Sequence, residues 1–388
     1  MEAASAPGPS TWRHPLDVVF AGGGTGGHTA AGLALAKALT ARLGGDVRLA
    51  WIGSQSGIEA TWVPAAGIAY HAIPTGKLRR QLAWRNVTDL TLRVPAGFGR
   101  AYALLGRLRP AIVVATGGFV AVPTAVAAAA RRLPLLVHEQ VVVPGLANRF
   151  IGRLADRVAV TFAASAGAFP RAKVVVTGNP VRPELFAGQR AGAFERFGLD
   201  PALPLLYITG GALGAHRVNR VVGAALPALL AVTQIVHQCG DNTYGDLAWL
   251  RGEASRLAPS LAGRYRAVAL VGEELGDLYA AASLVIGRAG AGTVTELAAL
   301  GLPAILVPLP GARGDEQTAN ARVLADAGAA LLLPEAELSA NRLVREVTGL
   351  LAEPARLSVM AARARALATP DAAARLVDLV LRLARPRA

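Results

Sequence analysis

The 388-residue sequence holds a single cysteine, Cys239. No intramolecular disulfide can form, no metal site built on several thiolates is available, and a lone thiol suits a reducing compartment. Lysine is scarce: Lys37, Lys77 and Lys173 are the only ones, so almost all basic charge is arginine. Aromatic residues make up 5%, too few to suggest a base-stacking platform. Charged residues are 17% against 53% hydrophobic, which excludes a disordered polar chain. Residues Met1 to Pro15 carry Glu2 and no apolar segment before Leu16, so no secretory signal is expected. Ala111–Ala130 and Val221–Gly240 lack charge and are long enough to cross a bilayer. Gly117, Gly118 and Pro123 break the first; Pro227, Gln234, His237 and Gln238 interrupt the second. Neither is expected to span, because breakers and polar groups are costly in lipid.

Positive charge is in surplus: 40 Lys+Arg against 26 Asp+Glu, a net +14. Such an excess favours an anionic partner, whether nucleic acid, phosphorylated substrate or anionic lipid. No nucleic-acid recognition motif accompanies it, so nucleic acid is not the expected partner. The length suggests two or three domains.

The chain alternates short apolar runs with helical stretches. Asp17–Ala21 reads as a buried strand, followed by a glycine loop and a helix over Thr29–Leu43. Val47–Ile52, Ala111–Ala115, Leu135–His138, Arg157–Thr161 and Val174–Val176 read as further strands. The scheme restarts near residue 204 with strand Leu205–Thr209, a glycine turn at 210–214 and a helix over Arg217–Leu230. Ile235–Gln238, Ala267–Val271, Leu284–Ile286 and Ala304–Val307 continue it, and Asp371–Leu383 reads as a final amphipathic helix. The expectation is an α/β chain of two Rossmann-like domains, with parallel sheets covered on both faces and a hinge between about Asn179 and Pro204. Ligands of such sheets sit at the carboxyl ends of the strands, so two halves facing each other would line a cleft with glycine loops.

Gly22-Gly23-Gly24-Thr25-Gly26-Gly27-His28 follows the first strand and opens the first helix. Its glycines admit a phosphate to backbone donors at a helix N-terminus. The run matches G-x-G-x-x-G, so a nicotinamide or flavin enzyme competes, as does a purely structural turn. The ribose-binding acid of a dinucleotide fold should end the second strand, yet no acid follows Ile52 until Glu59. His28 can serve as acid or base near neutral pH, or cap and pack locally. Thr116-Gly117-Gly118-Phe119 and Thr209–Ala215 are further strand-to-glycine turns. His138-Glu139-Gln140 ends a strand with three polar side chains, which places them at a mouth or in a hydrogen-bonded shell that orients a loop. Arg182, after Gly178-Asn179-Pro180, is able to clamp a phosphate or simply to be solvated. Arg288–Glu296 (RAGAGTVTE) opens another helix, read over Thr293–Leu300; its N-terminus is able to hold a diphosphate, and Glu296 the two hydroxyls of a ribose or a helix cap. In Pro308–Asn320, the side chains of Asp315, Glu316, Gln317 and Asn320 can read sugar hydroxyls or form a polar surface loop.

The ordered set of GGGTGGH at 22–28, TGGF at 116–119, HEQ at 138–140, PGLANR at 144–149, GNPVR at 178–182, GGALGA at 210–215, HQCG at 237–240, RAGAGTVTELAALGLPAILVP at 288–308 and DEQTANA at 315–321 resembles one family across about residues 16–370. It is the family-28 bacterial transferases that add N-acetylglucosamine to lipid-linked N-acetylmuramyl-pentapeptide, making lipid II for peptidoglycan. The resemblance implies a GT-B fold with a cleft, inversion at the anomeric carbon, no cofactor and no catalytic metal. It implies an N-terminal acceptor- and membrane-binding domain over 12–180, a C-terminal UDP-sugar domain over 181–370, and a last helix, about 371–388, packed back on the first domain. UDP-N-acetylglucosamine would meet Ala212, the Gly272 backbone near uracil, Ala291, Gly292, Thr293, Val294, Thr295 and Glu296 at diphosphate and ribose, and Gln317 and Asn320 at the sugar. Thr25, Gly26, Gly27 and Arg182 would complete the donor site, and lipid I would bring its diphosphate to the 22–28 loop. His28 is the candidate base for the acceptor C4 hydroxyl, or a ligand of that diphosphate.

The family usually has Asn where Val141 stands, often Ser at Ala212, commonly a proline in the segment after His28, and often Gln or His at Glu316. Lys77–Arg109 interleaves eight basic residues with Leu78, Leu82, Trp84, Leu92 and Phe98 against one acid, Asp89, which suits an anionic membrane surface. The implied location is the cytoplasmic face of the cell membrane, as a peripheral protein that can meet other cell-wall synthesis proteins. The competing readings are a related GT-B natural-product glycosyltransferase, a nucleotide-sugar epimerase, and a non-catalytic membrane-associated UDP-sugar binder.

Overall fold

The computed structural model describes residues 15–76, 93–311 and 313–385. Residues 77–92, the first half of the basic apolar stretch, lie outside the described residues, as do 12–14 and 386–388. The chain divides into two compact units, one formed by Met1–Pro180 with Thr369–Ala388, the other by Val181–Ala368.

The first unit is built on a seven-stranded sheet in the order β3-β2-β1-β4-β5-β6-β7. Its strands are β1 (Leu16–Gly22), β2 (Val47–Ser54), β3 (Ala69–Ile73), β4 (Ile112–Gly117), β5 (Leu135–Glu139), β6 (Arg157–Val160) and β7 (Val174–Val176). Every pairing is parallel. Parallel strands need crossover helices, and those helices bury both faces, which is why the central strands are continuous apolar runs rather than alternating ones. On one face Val19, Val113, Val137 and Val158 pack with the helix Ala121–Ala130. On the other, Phe20, Ile112 and Val114 pack with Leu35 and Leu39 of the helix Gly26–Leu43 and with Leu376 and Val380 of the helix Ala372–Leu383. The last helix thus belongs to the first unit. Trp51 stacks on Phe20 with ring centroids 5.4 Å apart and donates its indole N–H to the Gly22 carbonyl. Gly32 lies against that indole, so a Cβ there would overlap the ring.

The second unit repeats the plan in six parallel strands, order β10-β9-β8-β11-β12-β13. They are β8 (Leu205–Thr209), β9 (Gln234–Gln238), β10 (Tyr265–Val268), β11 (Ala282–Gly287), β12 (Ala304–Leu306) and β13 (Ala330–Leu332). Two details depart from the sequence reading. The strand expected at Ala267–Val271 is two to three residues earlier, at Tyr265–Val268: past it, the Val271 N–H turns to the Gln238 side-chain carbonyl, 3.1 Å away, and leaves the ladder. Gly272 therefore stands in a loop and does not end a strand. β3 and β13 are edge strands pairing on one side only, and their short sequences, AYHAI and ALL, carry no long β-branched run. The uncharged stretches each divide into a strand and a helix, and no helix among the described residues is long and apolar enough to cross a membrane.

Leu376 is fully buried against the first sheet. Leu376→Ala is expected to cost about 2–5 kcal/mol in urea unfolding, the range for deleting a buried leucine side chain. A loss below about 1 kcal/mol would mean that the last helix contributes little to the first core.

Candidate functional site

In the first unit the 22–28 loop is held from several sides. The Gly23 N–H donates to the Gly117 carbonyl at 3.3 Å, and the Gly24 N–H to Glu59 at 3.0 Å. Glu59 is fully buried and also accepts from the Ser54 N–H and hydroxyl. The one acid after β2 is therefore spent on shaping the glycine loop, which leaves the dinucleotide reading without its ribose ligand. Gly23 and Gly24 have φ of +149° and +79°, backbone that side chains with a Cβ rarely adopt. The helix starts at Gly26, three residues before the Thr29 expected from sequence, with Thr25 as its N-cap. Gly26, Gly27 and His28 thus form its first turn, where helix geometry offers backbone N–H groups no intrahelical acceptor. Space beside Gly27 is open.

His28 lies over the Thr116–Phe119 turn. A Cβ at Gly117 would come 3.1 Å from its Cε1, and one at Gly118 3.5 Å from its Cδ2; both glycines have positive φ, +110° and +78°. The His28 Nδ1 is 2.7 Å from the side-chain oxygen of Gln140. The His138-Glu139-Gln140 run is not an open mouth: all three are buried, at 1–2% exposure. They form the hydrogen-bonded shell that was the alternative reading. Glu139 accepts from the Val141 N–H and from Asn148, each at 2.9 Å. Burial raises its pKa, while those donors and Arg149 oppose the rise. At position 141 it is the backbone that Glu139 holds, so this contact survives the valine. Burial pushes the His138 pKa down to about 4, so the ring is neutral.

In the second unit the helix Ala291–Leu300 begins two residues before the expected Thr293, with Gly290 as N-cap. Ala291, Gly292 and Thr293 supply the first-turn N–H groups, and nothing lies within 4 Å of a Cβ built on Gly292. The Val294 N–H is already bonded to the Gly290 carbonyl and its side chain is buried, so Val294 serves the core. The Thr295 hydroxyl donates to the Ala291 carbonyl. Glu296 stands in the second turn, too far along for the capping role left open from sequence. It accepts from Tyr279 at 3.0 Å and from Arg182 at 3.2 Å. Burial raises its pKa, opposed by the Arg182 charge and the Tyr279 hydroxyl. Tyr279 meets Tyr207 edge-on, and Tyr207 donates to Gln238. Sequence reasoning missed both tyrosines because a buried tyrosine in an apolar run carries no signal of what its hydroxyl meets.

The remaining candidates are distributed around the strand ends. Ala212 lies in the turn after β8, its carbonyl accepting from the Asp241 N–H. Gly272 is exposed, its carbonyl bonded to the Leu275 N–H. The Gln317 side-chain oxygen accepts from the Leu309 N–H, fixing the loop after β12. Asn320 differs from expectation: it is fully buried and donates to the Ala289 carbonyl at 3.2 Å, so it braces the 288–291 turn rather than facing a sugar.

A neutral buried His138 makes stability pH-dependent. Its folded pKa lies below the unfolded 6.5, so the unfolded chain binds more protons between about pH 6.5 and 4. Its contribution is full above pH 6.5 and is lost as pH falls through that window, by about 1.4 kcal/mol per unit at the steepest. Urea midpoints measured across the window are expected to fall less steeply for His138→Asn than for wild type. Equal slopes would show that His138 is not held neutral.

Two family models match the chain: the glycosyltransferase family 28 N-terminal domain over residues 18–160 and the family 28 C-terminal domain over 205–376. A UDP-N-acetylglucosamine–N-acetylmuramyl-(pentapeptide) pyrophosphoryl-undecaprenol N-acetylglucosamine transferase of Desulforudis audaxviator is 40% identical over 377 residues, covering 95% of this chain and 99% of the relative. The transferase of the same name from a Nocardioides species is 42% identical over 373 residues, covering 95% and 98%. The crystal structure of MurG from Acinetobacter baumannii superposes with a TM-score of 0.73 at 29% identity, covering 95% of this chain and all of that one. Both sheets, the ordered loops at their carboxyl ends and these full-length matches agree: the chain belongs to glycosyltransferase family 28.

Proposed function

We propose that the chain transfers N-acetylglucosamine from UDP-N-acetylglucosamine to lipid-linked N-acetylmuramyl-pentapeptide. The observation that carries this reading is full-length kinship, 40% and 42% identity over 95% of the chain, with relatives whose names state that reaction. The structure supports it with two helix N-termini at the carboxyl ends of parallel strands, each opened by glycines.

In this reading the second unit holds the donor. The N–H groups of Ala291–Thr293 receive the diphosphate, and Glu296 takes the ribose hydroxyls. Arg182, now paired with Glu296, exchanges that carboxylate for the diphosphate. Gly272 and Ala212 offer backbone to the uracil and diphosphate, and Gln317 stands near the sugar. The first unit holds the acceptor, whose diphosphate meets Thr25, Gly26 and Gly27. The acceptor O4 attacks the anomeric carbon, the bond from that carbon to UDP breaks with inversion, and the O4 proton passes to His28. UDP departs with the electron pair, its charge stabilised by fixed N–H dipoles and Arg182.

A lipid-linked acceptor calls for contact with an anionic membrane surface. The helix Leu146–Leu154 suits it: Leu146, Phe150 and Leu154 are exposed at helical spacing, beside exposed Arg149 and Arg153. Exposed Arg100, Arg107 and Arg109 add charge on the described half of the basic stretch. As a peripheral protein of the cytoplasmic face, the enzyme would feed peptidoglycan synthesis, and through it cell shape and division, alongside other cell-wall synthesis proteins.

The test is transfer of labelled N-acetylglucosamine to a short-chain analogue of the acceptor. Wild type is expected to turn over, and His28→Ala to lose about 10²- to 10⁴-fold in kcat, the usual weight of a general base. Donor binding without transfer by wild type would favour the non-catalytic binder instead.

A further inference from the structure

We propose that Gln140 is a positioning residue for His28, holding the imidazole in the tautomer with its proton on Nδ1 and its basic lone pair on Nε2. The proposal deepens the reading of His28 as the base and rests on it for its catalytic meaning.

The orientation of the Gln140 amide is fixed by its surroundings. Its Nε2 is 2.9 Å from the Thr116 carbonyl and 3.0 Å from the His138 carbonyl. Carbonyl oxygens only accept, so the NH2 group must lie on that side and the amide oxygen on the other. That oxygen, 2.7 Å from His28 Nδ1, likewise only accepts, so Nδ1 carries hydrogen.

The next link points the same way. His138 Nε2 is 3.2 Å from the Gly178 carbonyl and therefore donates to it. A neutral ring that donates from Nε2 has an unprotonated Nδ1, which faces Gln140 Nε2 at 3.2 Å and can share with the His138 carbonyl one of the two amide hydrogens, the other going to the Thr116 carbonyl. Burial pushes the His138 pKa down to about 4, which keeps the ring neutral at working pH. Four groups thus form a chain with a single direction. His28 donates to Gln140, Gln140 to His138, and His138 to Gly178. His138, Gln140 and Thr116 are buried, so bulk water does not compete for these bonds.

The ring is also held sterically by Gly117 and Gly118, whose missing side chains make the room it occupies. A free imidazole in water favours hydrogen on Nε2. Gln140 reverses that preference, and Nε2 becomes the nitrogen able to take a proton. In enzymes that use histidine as base a carboxylate often has this orienting role. An amide fixes the tautomer without adding a charge that would raise the imidazole pKa.

The direct test is side-chain ¹⁵N NMR of histidine-labelled full-length protein above the imidazole titration range, with the His28 signals assigned by their loss in His28→Ala. Wild type is expected to show protonated Nδ1 and unprotonated Nε2 at His28. Gln140→Leu, which keeps bulk and removes the acceptor, is expected to move the population toward Nε2–H. Its kcat is expected to fall about 10- to 100-fold with KM for UDP-N-acetylglucosamine nearly unchanged. Wild-type His28 protonated on Nε2, or a tautomer unmoved in folded Gln140→Leu, would overturn the proposal; the wild-type spectrum decides even where the variant does not fold. A shifted tautomer with undiminished kcat would uphold the positioning by Gln140 and remove His28 from the base role.

Discussion

Parallel pairing is the constraint on which the rest of this structure depends. A parallel ladder cannot close through a tight turn, so each strand is followed by a loop and a returning helix. The loops collect at the carboxyl edge of the sheet, and the helices that follow them present their N-termini there. In the first unit this puts Gly22–His28, Thr116–Phe119 and His138–Gln140 side by side; in the second it puts Gly210–Gly214, Gly272, Arg288–Glu296 and Gln317 at corresponding strand ends. Glycine-opened helix N-termini therefore arise twice from one architecture, with different side chains around each.

Three mostly buried carboxylates show how that division is made. Glu59 ties the glycine loop to Ser54, and Glu139 ties the Val141 backbone to Asn148. Both are used up by protein donors and act as braces. Glu296 is bound by a tyrosine hydroxyl and by the half-exposed Arg182, the partner that the proposed function exchanges for ligand. A buried carboxylate whose partners are backbone amides holds shape; one paired with a mobile arginine at the head of a glycine-opened helix is suited to a ligand.

Much of this was readable from the residues. The apolar strands, the glycine turns behind them and the restart near residue 204 all follow from periodicity and turn chemistry, and most strand positions agree within one or two residues. Helix starts at Gly26 and Ala291 were missed because glycine and alanine at a first turn look like loop, although the open space beside Gly27 and Gly292 leaves the first-turn backbone uncovered. Of the edge strands, β3 and β13 were missed, because one-sided pairing tolerates short mixed sequences such as AYHAI and ALL, while β7, the run VVV, was legible. Sequence also could not separate residues that face a ligand from those behind them: Asn320 and Val294 sit in the right motif but point into the protein. Gln140, by contrast, gains its meaning only from contacts with residues 24 and 112 positions away.

The central claim is that the two copies of the strand-end device hold different ligands, with the nucleotide in the second unit. A crystal structure with UDP-N-acetylglucosamine tests it most directly. The account predicts diphosphate oxygens on the N–H groups of Ala291–Thr293, ribose hydroxyls on Glu296, and Arg182 moved off that carboxylate. A nucleotide seated on the Gly22–His28 loop, with the Arg182–Glu296 pair intact, would contradict it.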